Sequence, residues 1–319
     1  MNKYGLAPLL LASIMGCEIL ADQSQKKTLD THRQTVALAA PLPPSPQRIV
    51  AMGDLHGDVN VAVKALRLAG AIDVATHWIG GDMILVQTGD KIDRGDDDRQ
   101  VIDLFERLRS EAQAVGGDVR TLSGNHETMN VYGDFRYVTE GSFQDFTNHV
   151  PISMEPIPDL PADQQARAAA FRPGGRYAKI LAQHPIMLIV GNSAFVHGGI
   201  RREHVEAGID TMNRQVAAWM LGKMERPDFV KGSDSPLWMR DYSETIPKEA
   251  ACAALQDALS AMGAKRMVVG HTIQDQGINA ACGDKVWRID VGLSKYYKKN
   301  VIQVLEIKGD SLRVLSAPR

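Results

Sequence analysis

Polar and apolar positions in this chain follow two periods. Short apolar runs ending in turn residues occur at Ile49-Val50-Ala51-Met52, Met83-Ile84-Leu85-Val86 and Val119-Arg120-Thr121-Leu122, and they read as buried strands. Between the first two, Val59, Ala62, Val63, Leu66 and Ala69 fall at helical spacing within Asp58 to Ala69. Between the second and third, Val101, Leu104, Phe105, Leu108, Ala112 and Val115 share one face of a helix over Asp98 to Val115. Strand and helix alternating at intervals of about 35 residues match successive βαβ units, which predicts parallel strands. Further along, Ile186-Met187-Leu188-Ile189-Val190, Ala194-Phe195-Val196 and Arg266-Met267-Val268-Val269 repeat the strand pattern. The fold class is α/β.

The pattern changes at the N-terminus. Lys3 precedes an apolar stretch from Leu6 to Met15, the length of a signal-peptide core, and Ile14-Met15-Gly16-Cys17 resembles a bacterial lipobox. Residues 1–21 are therefore expected to be a signal peptide or lipoprotein signal, with lipidated Cys17 as a membrane attachment or plain cleavage near Ala21 as the alternative. From Asp22 the chain is polar and then proline-rich at Pro41-Leu42-Pro43-Pro44-Ser45-Pro46, so residues 22–47 read as a linker and 48–319 as the catalytic domain. The expected location is the periplasm or the outer membrane.

Composition narrows the class. The chain has 319 residues, 44% apolar content and a formal charge of −2, so it lacks the basic excess of a nucleic-acid-binding protein. Of three cysteines, Cys252 and Cys282 remain if Cys17 carries lipid. An oxidising compartment would let them pair, with two separate thiols as the plainer alternative because spacing does not fix Cα geometry.

Candidate chemistry sits where the strands end. Gly53-Asp54-Leu55-His56-Gly57, Gly89-Asp90-Lys91-Ile92-Asp93-Arg94-Gly95, Gly124-Asn125-His126-Glu127, His197-Gly198-Gly199 and Gly270-His271-Thr272 each follow an apolar run. Ligands in open α/β sheets bind beyond the carboxyl ends of the strands. These segments supply three aspartates, an asparagine and four histidines, a donor set suited to two divalent ions, Mn, Fe or Zn, sharing a bridging carboxylate. That combination points to a two-metal hydrolase.

The first three segments, in this order and continued by His197-Gly198-Gly199, resemble the signature of the phosphoprotein phosphatase family of calcineurin-like metallophosphoesterases. Pro236-Leu237-Trp238-Met239-Arg240, Val268-Val269-Gly270-His271-Thr272 and Trp287-Arg288-Ile289-Asp290-Val291-Gly292 are similar to its bacterial Shewanella-like subgroup. The chain departs from many eukaryotic members at Lys91, at Ser123 and in lacking their C-terminal Ser-Ala-Pro-Asn-Tyr segment. The resemblance implies two mixed β-sheets packed face to face with flanking helices. It further implies that Asp54 and His56 bind one metal, that Asp90 bridges both, and that Asn125, His197 and His271 complete the second.

A carboxylate suits the bridge because its two oxygens can hold two cations about 3.5–4 Å apart. A water shared by such ions loses a proton near neutral pH, and the hydroxide can attack phosphorus in line with the leaving oxygen. His126 is placed to protonate that oxygen, with Asp93 favouring its cationic form, and Arg94 and Arg240 to hold phosphoryl oxygens. The expected activity is phosphomonoester hydrolysis, on phosphorylated protein, peptide or small phosphoesters. A symmetrical dinucleoside polyphosphate hydrolase and a non-catalytic surface lipoprotein are the alternatives.

Other features have plainer expectations. Glu127 reads as a helix-start residue or a support behind the ligands rather than a ligand, Asp96-Asp97-Asp98 as a solvated helix N-terminus, and His77, His149, His184 and His204 as surface or loop residues. Gly53 and Gly89 are expected to let backbone approach the metals. Trp238 suits either core packing or substrate stacking. The aromatic segment from Val131 to Arg176 suggests a cap over the site.

Overall fold

The computed structural model describes residues 48–319 apart from Ser153 and Thr245. The expected signal, linker and lipidated Cys17 lie outside the described residues. The chain runs through β1 (Arg48–Met52), α1 (Val59–Leu68), β2 (Ile84–Gln87), α2 (Asp98–Gln113) and β3 (Asp118–Thr121). Four helices follow, α3 (Asn125–Val131), α4 (Glu140–His149), α5 (Gln165–Phe171) and α6 (Arg176–Leu181). Next come β4 (Met187–Val190), β5 (Ser193–Val196), α7 (Arg202–Ala207), α8 (Ile209–Met220), α9 (Glu249–Met262) and β6 (Arg266–Val269). The last strands are β7 (Asn279–Ala281), β8 (Val286–Arg288), β9 (Val301–Lys308) and β10 (Ser311–Pro318).

The strands form two five-stranded mixed sheets, ordered β10-β9-β1-β2-β3 and β4-β5-β6-β8-β7. β1, β2 and β3 are parallel, as their βαβ spacing predicts. β9 adds antiparallel to the free edge of β1. In the second sheet β5, β6 and β8 are parallel, while β4 and β7 are antiparallel edges.

Alternation along the second sheet explains the layering. Leu188, Val190, Phe195 and Val268 belong to one core with Val50, Leu85, Val304 and the α1 and α2 faces, so the sheets pack face to face there. Their neighbours Met187, Ala194, Val196, Met267 and Val269 join a second core with α5, α6 and α8. A sheet buried on both faces reads as continuous apolar runs, the pattern these strands show.

Three expectations change. Val131 to Arg176 is not simply a cap: Phe146 and Phe171 are fully buried in the second core, because α4 and α5 pack against one another and against the helices around them. Asp98 is not solvated; it is fully buried at the start of α2 and paired with Arg167. His184 is buried and bonded to Glu106 at 2.8 Å, and His204 is buried too, whereas His77 and His149 are exposed. Cys252 on α9 and Cys282 beyond β7 form a disulfide, with Cα atoms 5.2 Å apart.

Candidate active site

Each candidate ligand leaves the end of a strand or opens a helix. Asp54 and His56 follow β1, Asp90 follows β2, His197 follows β5, His271 follows β6, and Asn125 and His126 begin α3. His56, Asp90, Asp93, Arg94 and His271 adopt positive φ, between 45° and 70°. That region disfavours side chains by about 1–2 kcal/mol per residue, so surrounding bonds must hold it. The bonds are present. Leu55 and His56 both donate their backbone N–H to the carbonyl of Asp90. Glu127 accepts from the backbone N–H of Asp90 and Lys91 at 2.8 Å and of Gly124 at 2.7 Å. Glu127 is thus a loop-holding residue, and buried Lys91 lies 3.3 Å from it.

The glycines serve the same convergence. A Cβ on Gly53 would stand 2.6 Å from the Ile289 carbonyl oxygen, and one on Gly89 2.6 Å from the backbone nitrogen of Gly124. They let strand-end loops meet one another, which is a different reason from close approach to metal.

Asp54, His56, Asp90, Asn125 and His271 line one cavity of about 210 Å³, and His197 adjoins it through Asp90 and Asn125. His56 Nε2 lies 3.8 Å from Asp54 Oδ2 and 4.0 Å from Asp90 Oδ2. His197 Nε2 lies 3.1 Å from the same Asp90 oxygen and 2.9 Å from Asn125 Oδ1. His271 completes a cluster with Asp90 and His197, and His126 one with His56 and Asp90. Ligand atoms about 2.0–2.2 Å from a shared ion are separated by distances of this order.

Hydrogen bonds orient the rings. His56 Nδ1–H donates to the Ile92 carbonyl at 3.1 Å and His197 Nδ1–H to that of Thr88 at 3.0 Å. His271 Nε2–H donates to the Trp238 carbonyl at 3.1 Å. In each ring the opposite nitrogen is left with a lone pair, the arrangement metal-binding histidines use.

The electrostatics agree. Burial, then Asp290 and Asp90, pushes the Asp54 carboxyl well above its usual range. Burial also opposes ionised Asp90, but His197, His126 and His56 outweigh it and hold its pKa well down. Burial and neighbouring His126 push the His56 pKa well down, and burial with His197 does the same for His271. Asp290, also lining the cavity, is pushed up to about 6, chiefly by burial. Three buried carboxyl groups with imidazole nitrogens turned toward them form a donor set that divalent cations fit.

His126 differs from the other rings. Its Nδ1 is bonded to Asp93 Oδ2 at 2.7 Å, and its Nε2 stands 3.7 Å from Asp90 Oδ2. Burial opposes its cation, but Asp90 and the bond to Asp93 prevail and raise its pKa. Arg94 lies beside it, with Nη2 3.4 Å from His126 Nε2, Nη1 donating to Tyr297, and the rings of Tyr137, Tyr296 and Tyr297 around its guanidinium. Arg240 lines the same cavity and donates to the His271 carbonyl at 2.8 Å and Thr272 Oγ1 at 2.7 Å. Trp238 lines the same cavity while its Nε1–H donates to Val230.

The structure thus brings together all ten residues singled out in the sequence. It adds Asp290, Tyr137 and Tyr297 at the cavity, and Arg167 behind it. Asp290 lay within a motif quoted for the resemblance, Trp287 to Gly292, and nothing local marked its role.

Residues 47–275 match the model of the calcineurin-like phosphoesterase family. The chain is 40% identical over 301 residues to Shewanella-like protein phosphatase 2 of Arabidopsis thaliana, covering 83% of this chain and 76% of that protein. It is 30% identical over 258 residues to Shewanella-like protein phosphatase 1 of Plasmodium berghei, covering 78% of this chain and 68% of that protein. Among solved structures, a cold-active protein-tyrosine phosphatase of a psychrophilic Shewanella superposes with a TM-score of 0.68 at 24% identity, covering 87% and 85% of the two chains, and so shares the fold. The chain belongs to the calcineurin-like phosphoesterase family, in the company of the Shewanella-like phosphatases, and is a metal-dependent phosphoester hydrolase.

Proposed function

We propose that the protein removes phosphoryl groups from phosphorylated proteins or peptides by hydrolysing phosphomonoesters. One observation carries this reading: His126, bonded to Asp93 at 2.7 Å and favoured as a cation, shares a cavity with a two-metal donor set. A proton donor matters most when the leaving oxygen is a poor leaving group, as the alkoxide of a side-chain ester is. Similarity to relatives named as protein phosphatases supports the protein substrate.

In this reading Asp54, His56 and Asp90 would hold one ion, and Asp90, Asn125, His197 and His271 would hold the other. The oxygen and imidazole donors suit Mn, Fe or Zn. Bound ions supply Lewis acidity and a water of lowered pKa. Arg94 and Arg240, which both line the cavity, grip the phosphoryl oxygens and offset growing charge. His126 gives its proton to the departing oxygen, and Asp93 stabilises the imidazolium until that transfer. Tyr137, whose ring lies 5.0 Å from that of His126, contacts the substrate beside the ester.

We further infer that the chain is exported, from the signal-like layout of Leu6 to Cys17. The Cys252–Cys282 disulfide supports this, since such bonds persist in oxidising compartments.

The substrate reading is tested with purified, metal-loaded protein on phosphoserine, phosphothreonine and phosphotyrosine peptides, an aryl phosphate and a dinucleoside tetraphosphate. Chelator-sensitive release of phosphate from at least one peptide class is expected. Cleavage of the dinucleotide alone would replace the reading with a polyphosphate hydrolase.

A further inference from the structure

Arg167, on α5, is fully buried, as are the two carboxylates it faces. Its Nη2 lies 3.0 Å from Asp93 Oδ1 and 2.7 Å from Asp98 Oδ2. Nε donates to Asn130 Oδ1 at 2.8 Å and Nη1 to Ser142 Oγ at 2.7 Å. The rings of Phe146 and Phe171 lie 5.0 and 4.9 Å from the guanidinium carbon. Few arrangements hold an arginine more completely, and this one ends on the carboxylate that touches His126.

We propose that Arg167 is a positioning residue for proton transfer. A carboxylate turns easily about its Cβ–Cγ bond. Arg167 and the Asn130 side-chain amide, 2.9 Å away, both hold Asp93 Oδ1, which leaves Oδ2 aimed at His126 Nδ1. That bond sets the plane of the imidazole and points Nε2 into the cavity. Asp98 completes the device from the other side: besides facing Arg167, it accepts the backbone N–H of Asp93 at 2.9 Å, in the left-handed turn that presents Asp93. The cost of burying two carboxylates is offset by one guanidinium on this side and the imidazolium on the other. The aromatic segment between the third and fourth motifs thus acts on the chemistry from behind, through α5.

This inference rests on His126 as the proton donor, so the test separates the two. In Arg167→Met, kcat for a phosphopeptide should fall roughly 10–100-fold with KM little changed, while 4-nitrophenyl phosphate, whose leaving group needs no proton, slows less than about threefold. Because Arg167→Met leaves Asp93 and Asp98 facing each other uncompensated, Asp98→Asn/Arg167→Met is made beside it and should show the same split. Arg167→Lys, which keeps the charge but has a single ammonium for two carboxylates, should fall between parent and Arg167→Met. His126→Asn is the reference. If it slows both esters alike, the donor reading fails; if it shows the split and the Arg167 variants do not, only the positioning role fails. Should neither Met variant fold, Arg167→Lys decides, and full activity on both esters would overturn the proposal.

Discussion

Asp54, Asp90 and Asp290 are buried in one cavity and raise one another's cost of ionisation. Asp290 makes the sharpest single-residue prediction. Its pKa of about 6 in the fold lies above the ordinary 3.8, so in metal-free protein the folded state binds the proton more tightly than the unfolded chain. The stability this contributes is full below about pH 4 and is lost as pH rises through about 6. Asp290→Asn should therefore raise the melting temperature of chelated protein above pH 6, flatten its fall between pH 4 and 6, and weaken metal binding about 10–100-fold. Thermal scans in chelator and a metal titration read both effects. Unchanged affinity with a lower melting temperature would make Asp290 a purely structural turn residue, held by the Gly292 N–H at 2.9 Å.

The metal-type donors were legible because each carries its chemistry locally, beside a strand end. Arg167 was not: Gln165-Ala166-Arg167-Ala168-Ala169-Ala170-Phe171 looks like any short helix with one solvated arginine. Its value comes from Asp93, 74 positions away.

Among the elements, α1 and α2 lie where apolar periodicity puts them, and Ala62 and Leu66 of α1 and Val101, Leu104, Phe105, Leu108 and Ala112 of α2 are buried as predicted. Val59 and Val63 are only half-buried, Val61, Ala65 and Ile102 are buried although the periodicity did not single them out, and Val115 is 59% exposed past the end of α2. The C-terminal hairpin shows what a turn signal could have offered: Gly309-Asp310 joins β9 and β10, with Gly309 at φ 59°, and a Gly-Asp pair between alternating runs suits a two-residue turn. The disulfide is the element whose existence spacing could not settle, because pairing depends on where α9 lies beside the β7–β8 turn. It closes a loop of 30 residues. Chain-entropy arguments give such a loop about 3–4 kcal/mol. Cys252→Ser should lower the unfolding free energy by an amount of that order, read as a lower denaturant midpoint at unchanged slope, and reductant should do the same to the parent but not to the variant. Equal midpoints would show that the bridge is not formed in solution.

For the molecule as a whole, the proposed export has a direct check. Expressed from its full coding sequence in a Gram-negative host, the protein should fractionate outside the cytoplasm, and Cys17→Ala should move it from membrane to soluble fractions if Cys17 is lipidated. Retention of both forms in the cytoplasm would remove the export reading.

The order and type of the strand-end residues were enough to specify an α/β chain with a two-metal hydrolytic site, since strand period, turn glycines and ligand chemistry are written over a few adjacent positions. Burial, ring orientation and charge balance were not. The contact of Asp54 with the His271 backbone spans 217 positions, and the bond from His197 to Thr88 spans 109. Such contacts exist only once two sheets have packed and their loops have met. Packing also made Asp290 part of the cavity, sank Asp98 and Arg167 behind the His126–Asp93 pair, and put Phe146 and Phe171 of an expected cap into core while Tyr137 of the same segment lines the cavity. The physical reason is that a side chain's polarity is local, while its desolvation and its partners are set by segments distant in the chain.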